Sequence, residues 1–304
     1  MARRYGIYDV FTDTVLAGNP LAVIFDGDGL DDEVMQAVAR EMNLSETVFV
    51  QPAANPAHTA KLRIFTPARE LPFAGHPTVG TAVALAELER GSDGDADIVC
   101  VLEEKVGPVR CAIRLRASKA GFAEFDLPKT PSRIDLPIDG QGLADSLSLN
   151  PAVIGFENHR VSVWSAGVPF VMIPVHNLAS VQSLEFDAAL WEKVAPFADG
   201  GLASAYVYCR GGAHHQARFH ARMFSPDMGI AEDPATGSAV AALAGAIHHF
   251  DDLPDGHHPI LVEQGVEMGR PSYIHLHIDV KGGAIAKGRI GGQAVRLARG
   301  TLDL

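Results

Sequence analysis

RMFSPDMGIAEDPATGSAVAAL, residues Arg222–Leu243, decides the reading of this chain because a second copy stands earlier, RIFTPARELPFAGHPTVGTAVAL at Arg63–Leu85. Each copy runs Arg, any residue, Phe, Thr or Ser, Pro, then a short loop, then Pro, two residues, Gly, a small hydroxyl residue and Ala. Arg63 aligns with Arg222 and Pro77 with Pro234, so one loop is two residues shorter than the other. Two copies this far apart describe two similar domains, not a solenoid. In each, an alternating strand ends at Phe and Pro, and Pro, Gly and the hydroxyl residue open an alanine-rich helix. The residue before the helix proline is polar both times, His76 in one copy and Asp233 in the other. A helix N-terminus presents unpaired N–H groups and partial positive charge, which makes it a seat for an anion. Two such seats facing one another would form a cleft for a small acid. Gly75 and Gly237 leave the backbone open where a ligand would approach, with Pro77 and Thr236 beside them. Ser238 and Thr81 are the matched hydroxyls, able to donate to a carboxylate or to cap the helix.

Composition agrees with a two-domain acid-binding protein. A chain of 304 residues with 47% hydrophobic content has room for a core in each of two domains. Its 25 basic against 37 acidic residues give a net charge of −12, which argues against a nucleic-acid or anionic-membrane surface. The N-terminus, MARRYGIYDVF, has no apolar run before Asp9, and the longest apolar run, Ala239 to Ile247, is far too short for a membrane span. The expected location is the cytoplasm. Three cysteines suit buried reduced thiols, with Cys100 and Cys111 on neighbouring strands and Cys209 apart. No CxxC or Cys/His spacing points to a metal. The pairs His214-His215, His248-His249 and His257-His258 are adjacent, which points their side chains apart, and His275 and His277 suit a wet strand face.

In chain order, Tyr5 to Phe11 and Leu21 to Phe25 read as strands joined at Ala17-Gly18-Asn19-Pro20. Asp31 is the expected N-cap of a helix lined by Val34, Val38 and Met42, with Leu30 stapled to Met35. Ser45 to Gln51 is a strand whose alternation puts Glu46 on the face of Val48 and Val50, opposite Thr47 and Phe49. If the valine face is the covered one, Glu46 is a carboxylate held against apolar surface. The first repeat helix runs from Pro77 to about Arg90, Gly91 to Gly94 turns, and Ile98 to Glu103 and Val109 to Arg116 follow as strands. Lys129 to Gly155, rich in Pro, Gly and Ser, is the domain boundary, with a short helix at Gly142 to Leu149. That gives domains at 1–128 and 129–304, with the final strands free to cross back to the first. The second half has strands at Arg160 to Trp164, Pro169 to Pro174, Ala203 to Cys209 and Ala217 to Phe224, a helix at Asp187 to Phe197, and the second repeat. Three strands finish the chain, the last broken at Gly291-Gly292. The class is α+β, in two domains.

The whole chain resembles the phenazine-biosynthesis PhzF-like proteins, which share the diaminopimelate epimerase fold. The resemblance rests on DVFTDTVLAGNPLAV, MQAVAREMNLSETVFV, RIFTPARELPFAGHPTVGTA, EDPATGSA, MGRPS and GGQAVRLARGTL, in the family's order from Asp9 to Leu302. It implies two pseudo-symmetric β-barrel-like halves, each wrapped on a central helix, with a ligand between them. It also implies a cofactor-free isomerase and a homodimer. The family's catalytic glutamate matches Glu46 in NLSETVFV, its histidine His76 in AGHP, and its acid and serine Asp233 and Ser238 in EDPATGS. A general acid/base needs basicity tuned to the working pH, and a carboxylate against apolar neighbours is so placed. His76 and Asp233, at equivalent repeat positions, are expected to meet across the pseudo-twofold axis and to pair or bracket one small carboxylic acid.

Other readings compete. His76, Asp233 and Ser238 are the residue types of a serine hydrolase, yet no GxSxG elbow surrounds Ser238, and Asp233 lies in the loop of the same helix. A small-acid-binding protein of the same fold without turnover would use the same cleft. A two-thiol epimerase needs a cysteine in each repeat loop, and Cys100, Cys111 and Cys209 all lie outside them. Gly75 to Thr81 mimics a phosphate loop but has Thr81 where the lysine belongs.

Overall fold

The computed structural model describes residues 2–91, 94–198 and 200–304. Part of the turn expected at Gly91 to Gly94, namely Ser92 and Asp93, lies outside the described residues. The chain divides into two compact units, residues 1–128 with 291–304, and residues 129–290.

The first unit contains β1 (Ala2–Val10), β2 (Asn19–Ile24), α1 (Asp32–Met42), β3 (Glu46–Gln51), β4 (Ala60–Phe65), β5 (Glu70–Leu71), α2 (Gly75–Arg90), β6 (Ala96–Glu104), β7 (Gly107–Leu115) and β8 (Gly121–Asp126). Strand alternation sets the inside: in β7, Val109, Cys111, Ile113 and Leu115 are buried, and their neighbours Arg110 and Arg114 are exposed. Pairing runs β1–β2 antiparallel, β2–β3 parallel, β3–β4 antiparallel, β4–β6 parallel, then β6–β7 and β7–β8 antiparallel. The chain's last strand pairs with both β8 and β1, closing a ring of eight strands. Closure leaves no open sheet edge in that ring.

Helix α2 lies against β1, β2, β3, β6, β7 and β8, so it fills the ring. At its closest approach only glycine fits: a Cβ on Gly80 would come 2.6 Å from both Leu21 and Val10 side-chain carbons. Helix α1 packs outside, through Met35, Val38 and Ala39 against Ile24, Phe49 and Phe65. Burying a side chain such as Phe49 contributes about 1.5–3 kcal/mol. Asp31 caps α1, accepting from Val34 N at 2.8 Å, and Asn43 closes it in the left-handed region at φ 50°. With helices on both sides, β3 is covered on both faces, and Thr47, Val48 and Phe49 are all fully buried. The valine face of β3 is therefore covered, and so is the face opposite it.

The second unit contains β9 (Ser132–Ile134), α3 (Gly140–Ser146), β10 (Ser162–Ser165), β11 (Pro169–Pro174), α4 (Leu178–Ser183), α5 (Ala188–Val194), β12 (Phe197–Ala198), β13 (Gly201–Leu202), β14 (Ser204–Arg210), β15 (Phe219–Ser225), β16 (Ile230–Asp233), α6 (Gly237–Asp251), β17 (Gly256–Gln264) and β18 (Ser272–Lys281). Its pairing repeats the first unit's pattern: β10–β11 antiparallel, β11–β14 parallel, β14–β15 antiparallel, β15–β17 parallel, β17–β18 antiparallel. Helix α6 takes the place of α2, and Gly245 is the point where Trp164 sits against it, its Cζ3 2.6 Å from where a Cβ would stand. A separate cluster built on Trp191, Leu143, Leu147 and Val181 covers the outer side with α3, α4 and α5. The short α4 has no counterpart in the sequence reading.

The last strand, β19 (Ala284–Asp303), runs twenty residues without interruption. Gly291-Gly292 therefore does not break it. These glycines make room instead, since a Cβ on Gly291 would stand 2.7 Å from Glu124 Cβ and one on Gly292 would overlap the Phe11 ring. Cys100 and Cys111 face each other directly across β6 and β7 as free, buried thiols. Adjacent His214 and His215 do not diverge, because their ring centroids lie 4.6 Å apart. Among the described residues, no helix is long and apolar enough to cross a membrane.

Candidate active site

Glu46 opens β3, paired across from Leu21 of β2, and its side chain is 13% exposed. Helix α2 begins at Gly75, two residues ahead of the expected Pro77, behind an extended Ala74 that gives no side-chain cap. That start places His76 in the helix's first turn, 3% exposed. The two meet: His76 Nδ1 lies 2.7 Å from Glu46 Oε2. The carboxylate fixes the imidazole's orientation through Nδ1, and the second nitrogen, Nε2, is buried without a hydrogen-bond partner among the described residues. A buried donor or acceptor left unsatisfied beside an ionisable pair is free to meet a ligand atom.

Behind this turn stands Glu104, the last residue of β6, which the sequence reading passed over. Thr78 Oγ1 lies 2.7 Å from Glu104 Oε1 and 2.8 Å from the Ala74 carbonyl oxygen. One hydroxyl carries one proton. Both contacts are satisfied when Glu104 is a neutral acid that donates to Thr78, which donates to Ala74. Burial pushes the Glu104 carboxyl up to about 8, against a smaller opposing effect of Thr78. Thr81, the matched hydroxyl of this repeat, is buried with its Oγ1 unpartnered.

In the second repeat the helix does not open at the proline. Asp233 ends β16, and α6 starts only at Gly237, with Thr236 as its extended N-cap. A fully buried amide, Gln264, holds Asp233 to Thr236 outside the helix. Its Nε2 donates to the Asp233 carbonyl at 2.7 Å and to Thr236 Oγ1 at 3.0 Å, and its Oε1 accepts from Thr236 N and Tyr206 Oη, both at 3.3 Å. Thr236 Oγ1 donates to Asp233 Oδ2 at 2.5 Å, fixing that carboxylate. Burial and then the Asp233 charge push the Tyr206 hydroxyl well above its ordinary range. Ser238 is half-buried in the first turn of α6. Thus Glu46 is joined to His76 within the first unit, and Asp233 to Thr236 within the second. Gln264 and Tyr206, like Glu104, were not singled out from sequence, although Glu103-Glu104 and Glu263-Gln264 end equivalent strands and repeat at nearly the same offset as the two loops.

Both repeats rest on the same clamp. Arg63 donates Nε and Nη2 to the two oxygens of Glu70 at 2.6 and 2.7 Å, and Arg222 does the same to Glu232 at 2.8 and 2.9 Å. Each guanidinium also covers its own strand's phenylalanine, Phe65 or Phe224, at 5.2 and 5.1 Å.

The family model for phenazine biosynthesis-like proteins, PhzC-PhzF, matches residues 8–300. The chain belongs to this family. It is 55% identical to an uncharacterized isomerase of Mesorhizobium japonicum, over 99% of this chain and 98% of the relative. It is 36% identical to the trans-2,3-dihydro-3-hydroxyanthranilate isomerase of Pseudomonas aeruginosa, over 98% of each. Among solved structures, the Bacillus anthracis phenazine biosynthesis protein of the PhzF family superposes with a TM-score of 0.87 at 25% identity, covering all of both chains. The fold is the diaminopimelate epimerase-like one and the chain is an isomerase.

Proposed function

We propose that this isomerase moves a proton within a small carboxylic acid, with Glu46 as general acid/base and without a cofactor. The observation that carries this reading is the Glu46–His76 pair at 2.7 Å, backed by a buried His76 Nε2 that has no protein partner. A shift of a proton between two carbons is redox-neutral: a base takes the proton from one carbon and, as its conjugate acid, returns it to the other. Glu46 heads a strand fixed on both faces, so it can do both without moving far. His76 Nδ1 steadies the carboxylate, and Nε2 is left to meet a polar group of the ligand.

Asp233, Ser238, Thr236, Gly237, Gly75 and Pro77 are assigned to the same ligand on the sequence repeat. Asp233 is held ready by Thr236 and Gln264. The protein is proposed to be a cytoplasmic homodimer. The substrate of the Pseudomonas aeruginosa relative is the first candidate. The purified chain is to be incubated with trans-2,3-dihydro-3-hydroxyanthranilate and with other cyclic hydroxy and amino acids, and the products followed by proton NMR. Isomer formation at unchanged mass supports the reading. With any substrate that turns over, Glu46→Gln should retain binding and lose a factor on the order of 10² to 10⁴ in kcat. A Glu46→Gln protein with undiminished kcat contradicts it.

A further inference from the structure

At the far end of α2 from His76, twelve residues on and so about 18 Å along the helix, a pocket opens within the first unit. Its volume is about 330 Å³, and Tyr5, Tyr8, Phe25, Ala84 and Leu88 form its apolar walls beneath three arginines. That is the size of a small-ligand site. Two glycines shape it. Gly6 pairs with Arg299 and Gly300 with Tyr5 across β1 and β19. A Cβ on Gly6 would stand 2.8 Å from the Tyr8 ring, and one on Gly300 would stand 2.8 Å from the Tyr5 ring. Their absence lets both rings lie over the strand ladder, with empty space beyond.

The charges around the mouth are not equivalent. Arg4 is spent on Asp26, donating Nε at 2.9 Å and Nη2 at 2.7 Å. Arg296 faces Glu87 at 3.3 Å, where the carboxylate also accepts from Tyr8 Oη at 3.1 Å. Arg299 is exposed and has no ion pair among the described residues. In a chain of net charge −12, an exposed guanidinium on the lining of a pocket that also holds three aromatic rings is a local reversal of sign. Leu88, 50% exposed at the mouth, is apolar surface that a ligand would cover. We infer that this pocket binds a small aromatic monocarboxylate, its ring between Tyr5, Phe25 and Leu88 and its carboxylate on Arg299. The site is separate from Glu46 and His76 and is suited to sensing an aromatic acid, not to transforming one, since its lining holds no carboxylate or imidazole to act as a base.

The probe is indole-3-carboxylate, titrated into the full chain carrying His76→Ala so that the other turn is disabled, with indole-3-carboxamide as its uncharged match. One saturable site is expected by NMR shift mapping. Arg299→Ala should weaken the carboxylate roughly tenfold and leave the carboxamide nearly unchanged. Leu88→Glu, at an exposed helix position, should weaken both. No saturable binding, or equal loss of both probes in Arg299→Ala, would overturn the inference. So would a change of sedimentation in Leu88→Glu without probe binding, which would make this face a contact between two copies of the chain.

Discussion

The two repeats share a frame and differ where the chemistry lies. Each has the Arg–Glu clamp, the same run of parallel and antiparallel strands, and a strand glutamate that gathers two backbone N–H groups and a histidine. Glu103 accepts from Ala54 N, Asn55 N and His58 Nδ1, and Glu263 from Ala213 N, His214 N and His220 Nδ1. The next residue is where they part. Glu104 in the first unit and Gln264 in the second both stand behind the helix entry. A protonated carboxylic acid is close in shape to a carboxamide, so the two can play similar parts, but only the amide has two donors. With two, Gln264 holds four residues out of α6 and presents Asp233. With one, Glu104 ties Thr78 down and lets α2 begin early enough to carry His76 to Glu46. The two copies share the scaffold, and one polar residue per copy accompanies the difference between the turns.

The largest effect that would sharpen this comparison is at the histidines. His220 is fully buried between Glu263 at 2.6 Å and Glu267 at 2.9 Å, and these two acids, against burial, raise it to about 9. His220→Ala strands two carboxylates and should cost about 3–5 kcal/mol in urea unfolding. His58→Ala, partly exposed, should cost far less. The sign for His220 follows from its raised value. The charged form is favoured in the folded state, so its contribution is complete below about 6.5 and is lost as pH rises through about 9.

Next in size is Thr236→Val. It removes the donor to Asp233 and the acceptor for Gln264 in a buried network, and about 1–3 kcal/mol of stability should go with it. Turnover should fall as well, because Asp233 loses its orientation. An unaltered rate would mean that Asp233 does not need this support.

Smallest at low pH, and growing with pH, is Glu104→Gln. Glu104 is raised in the folded state from an ordinary 4.5 to about 8, so the folded form holds a proton that the unfolded chain releases. Stability of the natural protein should therefore decline as pH rises from about 4.5 to about 8. Glu104→Gln should flatten this decline in thermal melts across the window, having made the first repeat resemble the second. A variant that keeps the full slope would mean that Glu104 is ionised and that the resemblance to Gln264 is accidental.

Much of the frame was legible because it is local. The duplicated RxF and PxxG segments announce the repeat, Asp31 and Asn43 cap α1 as their types dictate, and the alternation in β7 puts Cys111 on the buried face. What escaped depends on partners distant in sequence. Glu104 and Gln264 end strands that pair in parallel with β4 and β15, and a polar residue in an alternating strand reads as solvent-facing until that non-local pairing is known. For Glu46 the alternation left open which face of β3 is covered, and helices on both sides cover it. Pro77 and Pro234 looked equivalent, yet helix α2 starts before one and α6 after the other, because the hydrogen bonds of Gln264 outweigh the preference of proline for a first turn. The two glycines of β19 signalled a break and proved to be close approaches to Phe11 and Glu124.

The most direct test of Glu46 as the residue that lifts and returns the proton is isotope exchange. A substrate or bound analogue is incubated with the enzyme in deuterated water and read by mass spectrometry and NMR. The natural protein should wash deuterium into the carbon positions between which the proton moves, while Glu46→Gln, folded and still binding, should not. Continued exchange at the natural rate in Glu46→Gln would contradict the account and make His76 or Asp233 the base.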